Sequence, residues 1–484
     1  LKTLTATLGK IFVLPVLAVI AYFLAHFVWK FQYIGIGAIA LFPCVVFLIC
    51  ILFARPQSGV MLILVYSFVI NGLGRYFSAP FSVMVDGLLL TALIAAIFHS
   101  GKEDYARFKS PLFGLLLVYT FFTFMELFNP EALGFGPWFF AVRSVSLYII
   151  FLISITILFF KKQKLMDLFL IIWCIGGIVS GLYGVKQDMI GLDSAETDWL
   201  MNFGAETHLL FGELRIFSFY SDAGQFGAFM AFTSLVGFIL SVRAETYNLK
   251  LLYLITGFVC AYGMLISGTR GALFVYVGAF VYLILDKNFK TLSIGLFVVG
   301  TLFCILKFTY IGAGNYDIQR LRSAVKPNDD PSYLVRLENQ KKIKAYLSSR
   351  PLGGGIGSSG YWGKRFRPGS FLAETPTDSW YVRLWAETGV VGLWLYIIIY
   401  VLIVLKAFII IWNIEEIYLK QKLAAMLSGC VGILVASYGN QLIGQFPTIV
   451  YFSMSLAFIY QGYFWNRENI LRIKNQETSS KTLA

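Results

Sequence analysis

The run VVGLWLYIIIYVLIVLKAFIII, residues 390–411, decides the class of fold this chain adopts. Lys406 is its one charge, and about 20 such residues suffice to cross the hydrocarbon core of a bilayer as a helix. Ile11 to Val28 and Leu168 to Tyr183 read the same way. The runs are continuously apolar rather than alternating, which favours helices over barrel strands. Across 484 residues, 58% are hydrophobic and 13% charged, which excludes an ordinary soluble domain. The expectation is an all-α polytopic membrane protein.

Fourteen candidate spans follow: about 11–28, 34–53, 58–73, 83–98, 111–128, 139–160, 167–186, 221–242, 249–267, 271–285, 289–311, 384–411, 423–443 and 446–465. The third and fourth are short enough to be tilted, kinked or re-entrant. Lys and Arg near alternate span ends (Lys10, Arg55, Lys102, Lys161, Arg243, Lys287, Lys420, Arg467) put both termini in the cytoplasm by the positive-inside rule. Longer loops at 187–220 and 312–382 then face outward. The first run lacks a small-residue cleavage site, so no signal peptide is expected, and Leu1 suggests native residues ahead of it. The chain divides into spans over 1–210, spans with arginine motifs over 211–311, an outer loop at 312–382, spans over 383–465 and a polar, disordered tail at 466–484. Six cysteines lie in apolar runs without a CxxC pair, and three histidines are scattered, so neither disulfides nor a metal site is expected. The net charge of +13 is accounted for largely by the cytoplasmic loops, and nucleic acid is not a partner.

The loop at 312–382 is strongly basic. Asp330-Pro331 reads as a helix start, and Arg350-Pro351 as its end near Ser349. Arg336, Gln340, Ile343 and Leu347 share one face at i, i+4, i+7 and i+11, which would hold an arginine above an apolar stripe. Pro351 to Gly357, PLGGGIG, reads as a flexible connection. It lacks the Gly-Lys-Ser/Thr ending of a P-loop, so no nucleotide cofactor is indicated.

Where that loop re-enters the membrane stands TPTDSWYVRLWAETGVVGL, residues 375–393. Asp378-Ser379, nine residues, then Gly389-Val390-Val391-Gly392 resembles the signature of the bacterial O-antigen ligase and polymerase family, His-[Asn/Ser/Gln]-x9-Gly-x-x-Gly. Asp378 stands where the ligases have histidine. Leu214-Arg215-Ile216 ahead of a span, Ser267-Gly268-Thr269-Arg270-Gly271 between two spans, and Arg336 ahead of Arg350-Pro351 resemble the family's arginine segments. The likeness covers about 214–392, and family members usually have around twelve spans.

The resemblance implies a metal-independent, inverting glycosyltransferase at the outer face of the bacterial inner membrane. Its donor would be a glycan on undecaprenyl pyrophosphate. Its acceptor would be another lipid-linked repeat (polymerase, the leaning here because the motif histidine is missing) or lipid A–core (ligase). A chain-length regulator is a further partner, and a lipid-linked sugar flippase is the reading from another class. Arg215, Arg336 and Arg270 would bind the pyrophosphate. Guanidinium suits that role because it is planar and always charged.

Asp378 would be the general base. A cap or orienting residue for the incoming helix is the other reading of it. Glu374 and His208 are fallback bases. Arg270 could equally snorkel or cap carbonyls, and Arg143 is a weaker candidate for pyrophosphate binding, with interfacial snorkelling the favoured reading. Arg383 and Glu387 sit in or beside the motif, and Glu387 inside the membrane is costly without a partner, which favours a functional or pairing role, an ion pair with a nearby arginine being the structural choice. Ser379, Gly389 and Gly392 complete the motif.

Overall fold

The structure, a computed structural model, describes residues 51–77, 81–210, 212–287 and 331–483, with scattered positions in 21–50 and 293–322. Contacts divide the chain into Leu1–Val60 and Met61–Ala484. Where described, the first unit is helical, with Leu52 packed on Gly59. The second unit is a helical bundle.

Its principal helices are α1 (Pro56–Tyr76, which begins in the first unit), α2 (Phe81–Phe98), α3 (Pro111–Met125), α4 (Phe135–Phe159), α5 (Gln163–Met189), α6 (Ala223–Val242), α7 (Tyr247–Ile266), α8 (Arg270–Leu285, opening as a 3-10 helix), α9 (Pro331–Tyr346), α10 (Trp380–Trp412), α11 (Ile417–Ala436) and α12 (Thr448–Leu483). Strand pairing enters as β1 (Leu209–Leu210) against β2 (Glu213–Leu214), antiparallel, with Leu209 opposite Leu214. Among the described residues, eight helices are long and apolar enough to cross a membrane, or nine if α2 and Lys102–Lys109, bent by 118°, form one span. The chain is an all-α polytopic membrane protein. The expected spans 11–28, 34–53 and 289–311 lie wholly or largely outside the described residues.

Start signals are visible at several helices. Asp222 caps α6 by accepting from Gln225 N at 2.9 Å, and Thr246 caps α7 by accepting from Leu249 N at 3.3 Å. Glu416 accepts from Tyr418 N and Leu419 N at the head of α11, while Pro111 opens α3. The bundle packs α6 on α7 and α11, α8 on α11, α5 on α7, and α4, α10 and α11 on α12. Gly278 and Gly432 bring α8 and α11 together at backbone distance: a Cβ on Gly278 would lie 1.9 Å from the Ser428 carbonyl.

Ile449 to Tyr460 of α12 are all buried, so this helix is the core of the bundle rather than a lipid-facing span. Outward-facing rows such as Trp394, Ile398, Val401, Leu405 and Ile409 of α10 face the bilayer instead.

Three expectations are corrected here. α12 runs on to Leu483, so the tail after Asn466 is helical rather than disordered. No Pro or Gly follows Gly462, and Arg, Glu, Leu and Lys sustain the helix. The span expected at 423–443 ends at Ala436, giving way to a polar turn. Arg143 does not snorkel. It is buried at a π-helical turn in α4 and pairs with Asp86 of α2, which also accepts from Tyr148 Oη.

Candidate functional site

Ser379 is the N-cap of α10: its Oγ accepts from Val382 N at 3.5 Å and donates to the Ser437 carbonyl at 3.3 Å. Trp380 N donates to the same carbonyl at 3.0 Å, so the end of α11 is satisfied by the start of α10. With Ser379 as the cap, the capping reading of Asp378 is set aside. Asp378 lies one residue outside the helix, half-exposed, and its Oδ2 accepts from Arg336 Nε at 3.2 Å. Arg336 is held there by α9. Ile343 and Leu347 on the same face are buried against Leu372, Val382 and Ala386, and each such burial contributes roughly 1.5–3 kcal/mol. The expected apolar stripe thus docks the loop helix onto the first turns of α10.

Two turns further, α10 breaks at Gly389 (φ 65°, ψ −167°). A Cβ there would sit 2.0 Å from the Pro351 carbonyl, and Val391 N donates into that carbonyl at 3.3 Å. Gly354 N donates to the Ala386 carbonyl at 2.9 Å. The segment expected to be a flexible connection, Pro351 to Gly357, is therefore a packed insert in the kink of α10. Its glycines provide positive φ and close approach, at Gly353 above all. Gly392 faces Thr388 Oγ1 and Phe122, with no room for a side chain. Glu387 is fully buried, and its Oε1 accepts from Arg383 Nε at 3.2 Å and Ser359 Oγ at 2.6 Å, the arginine pairing expected of it.

Arg215 follows β2. Its backbone N donates to the His208 carbonyl at 2.8 Å, and its guanidinium donates to the Thr207 carbonyl at 3.2 Å and Thr269 Oγ1 at 2.9 Å. Thr269 Oγ1 in turn donates to the Ala223 carbonyl at 2.9 Å, joining Arg215 to the head of α6 and to Arg270, the first residue of α8. His208 is buried edge-on to Trp199 and Phe217, with Nδ1 2.9 Å from the Gly204 carbonyl. Burial pushes its pKa below the ordinary value. This is a structural seat for a neutral imidazole. Glu374 accepts from Gly369 N at 3.2 Å, closing a turn of the loop.

Two features escaped sequence reasoning. Arg75, at the end of α1, donates to the carbonyls of Ser218 and Tyr220 and lies over the rings of Trp199 and Phe217, at 4.6 and 4.3 Å from their centroids. Ser218 has φ 49°, and its N–H donates to Gln187 Oε1 at 2.7 Å. Arg75 and Gln187 thus fix the segment that presents Arg215. The second is the polar turn 438–447 between α11 and α12. Asn440 packs on Gly271, beside Arg270. Gln441 Nε2 donates to Thr377 Oγ1 at 3.2 Å and to the Thr377 carbonyl, next to Asp378, while its Oε1 accepts from Arg383 at 3.4 Å. Gln445 donates to the Gln441 carbonyl at 3.0 Å and accepts from Ser221. Three amides in an otherwise apolar stretch are the signal that could have found it.

Arg215 and Arg270 on one side, and the Arg336–Asp378 pair on the other, are stitched together through this turn at one end of the bundle. Segments that carry three arginines and a carboxylate to one polar turn offer groups suited to binding a doubly charged phosphate ester beside a proton acceptor.

Residues 255–397 match the model of the O-antigen ligase family. No curated protein matches the chain. The matched stretch holds Arg270, Arg336 and the whole of Asp378 to Gly392, while Arg215 lies ahead of it. The chain is a multi-pass membrane protein whose residues 255–397 are similar to the O-antigen ligase family, a similarity that supports a glycosyltransferase-like activity on a lipid-linked glycan and an acceptor.

Proposed function

We propose that the chain transfers a glycan from undecaprenyl pyrophosphate to a sugar hydroxyl at the outer face of the inner membrane, with its termini in the cytoplasm. The observation that carries this reading is that the segments bearing Arg215, Arg270 and the Arg336–Asp378 pair are joined through the turn 438–447, by Ser221–Gln445, Gly271–Asn440 and Thr377–Gln441 contacts. Arg215, Arg336 and Arg270 bind the pyrophosphate, and no metal is required because guanidinium groups take up the leaving-group charge. The acceptor oxygen attacks the anomeric carbon from the face opposite the pyrophosphate. The bond from that carbon to the phosphate oxygen breaks, and its electron pair leaves with undecaprenyl pyrophosphate. The hydroxyl proton passes to the Asp378 carboxylate. A single displacement of this kind inverts the anomeric centre.

In the resting geometry Arg336 holds Asp378. A pyrophosphate competing for Arg336 releases the carboxylate, so donor binding readies the base. The motif position occupied by aspartate rather than histidine favours a polymerase, with a second lipid-linked repeat as acceptor and a chain-length regulator as partner. The deciding experiment uses purified protein with an undecaprenyl-pyrophosphate glycan, with and without lipid A–core. Chain growth without core is the expected result. Transfer to core alone would make it a ligase, and glycan carried across a bilayer without new bonds would make it a flippase.

A further inference from the structure

At the opposite end of the bundle, the turn between α4 and α5 and the middle of α12 enclose a cavity of about 360 Å³, whose lining includes Lys161, Lys162, Lys164, Asp167, Trp465 and Glu468. The charges around it can be followed one by one. Asp167 shares Lys422 with Glu245, at 2.7 and 2.6 Å, and Glu468 faces Arg107 at 3.5 Å. Lys161 pairs with Asp104 at 2.5 Å, and its carbonyl accepts from the Trp465 indole at 2.7 Å. Each carboxylate of the lining thus faces a cation, and with Glu245 and the other partners included the cations exceed the carboxylates by one among the described residues. Lys162 and Lys164 are exposed and have no carboxylate partner among the described residues, so the cavity carries surplus positive charge. Lys164 also stands one turn before Leu168, from which Leu168, Ile175, Val179 and Leu182 form an exposed apolar row along one face of α5.

We infer that this cavity binds an anionic phospholipid, with the headgroup phosphate between Lys162 and Lys164 and an acyl chain along the Leu168 to Leu182 row. A free phosphate shares the headgroup chemistry and has no use for the apolar row. The inference is independent of the proposed transfer reaction.

The test is native mass spectrometry of the purified full chain in detergent, titrated with phosphatidylglycerol, phosphatidylcholine or inorganic phosphate. Phosphatidylglycerol should remain bound where phosphatidylcholine is lost. Lys162→Ala with Lys164→Ala should weaken it about thirtyfold, on the order expected for two lysines at a lipid surface. The Lys162→Arg, Lys164→Arg protein should keep it, and Leu168→Ser with Ile175→Ser should weaken it with the lysines intact. Equal retention of the two lipids, or wild-type binding by the double alanine variant, would overturn the site. Displacement of phosphatidylglycerol by inorganic phosphate at matched concentration would overturn the lipid assignment.

Discussion

The two ends of the bundle differ in how they hold their cations. At the Lys422 end, cations meet carboxylates: Lys422 bridges Asp167 and Glu245 at 2.7 and 2.6 Å, Arg243 pairs with Asp286, and Lys161 pairs with Asp104. At the Asp378 end, ion pairs (Arg336–Asp378 and Arg383–Glu387, both at 3.2 Å) stand beside arginines held by neutral oxygens: Arg75 donates to the backbone carbonyls of Ser218 and Tyr220, and Arg215 to the Thr207 carbonyl and a Thr269 hydroxyl. The carbonyls that accept from Arg75 orient its guanidinium without cancelling its charge. Separated by the 20 residues of α11, about 30 Å of helix, one end joins helices through ion pairs and the other holds the proposed pyrophosphate site.

The comparison is broken most severely by removing the arginines themselves. Arg215→Ala or Arg336→Ala should abolish glycan elongation while the protein stays inserted, as read from glycan ladders and membrane fractionation. Asp378→Asn should follow, with a loss of roughly 10²–10⁴ in transfer rate and an unchanged thermal unfolding curve. A rate near that of the wild type would leave Asp378 as a holder of Arg336 alone. Arg75→Lys keeps the charge but loses the fork that grips two carbonyls. The expected result is about a tenfold rise in KM for the donor with little change in kcat. If Arg75 acts through Arg215, the Arg75→Lys and Arg215→Lys effects will not add. The smallest effect belongs to the other end. Lys422→Met should lower stability by about 1–2 kcal/mol, limited because Asp167 and Glu245 are 37% and 41% exposed, and should leave donor KM unchanged.

Much of this architecture was legible in the sequence because membrane helices are set by local composition. The apolar runs from 58 to 285 and the run at 384–411 each became helices close to the expected bounds. The loop helix was legible too, since Arg336, Gln340, Ile343 and Leu347 obey helical spacing and the apolar pair found its partner in α10. What escaped depends on contacts between residues far apart in the chain. Arg75 looks like any cation at a span end until Ser218 and Tyr220 arrive from the far side of α5. Pro351 to Gly357 looks flexible because it is glycine-rich, yet glycine is required there to enter the kink at Gly389. The amides of the 438–447 turn were absorbed into neighbouring apolar runs, although they join the two halves of the site.

The account rests on the Asp378 end being a pyrophosphate site, and binding tests that more directly than turnover does. Purified protein in nanodiscs should bind undecaprenyl pyrophosphate well above undecaprenyl monophosphate, and Arg215→Ala and Arg336→Ala should each erase that preference. Equal affinity for the two lipids, or a preference that survives both substitutions, would contradict it.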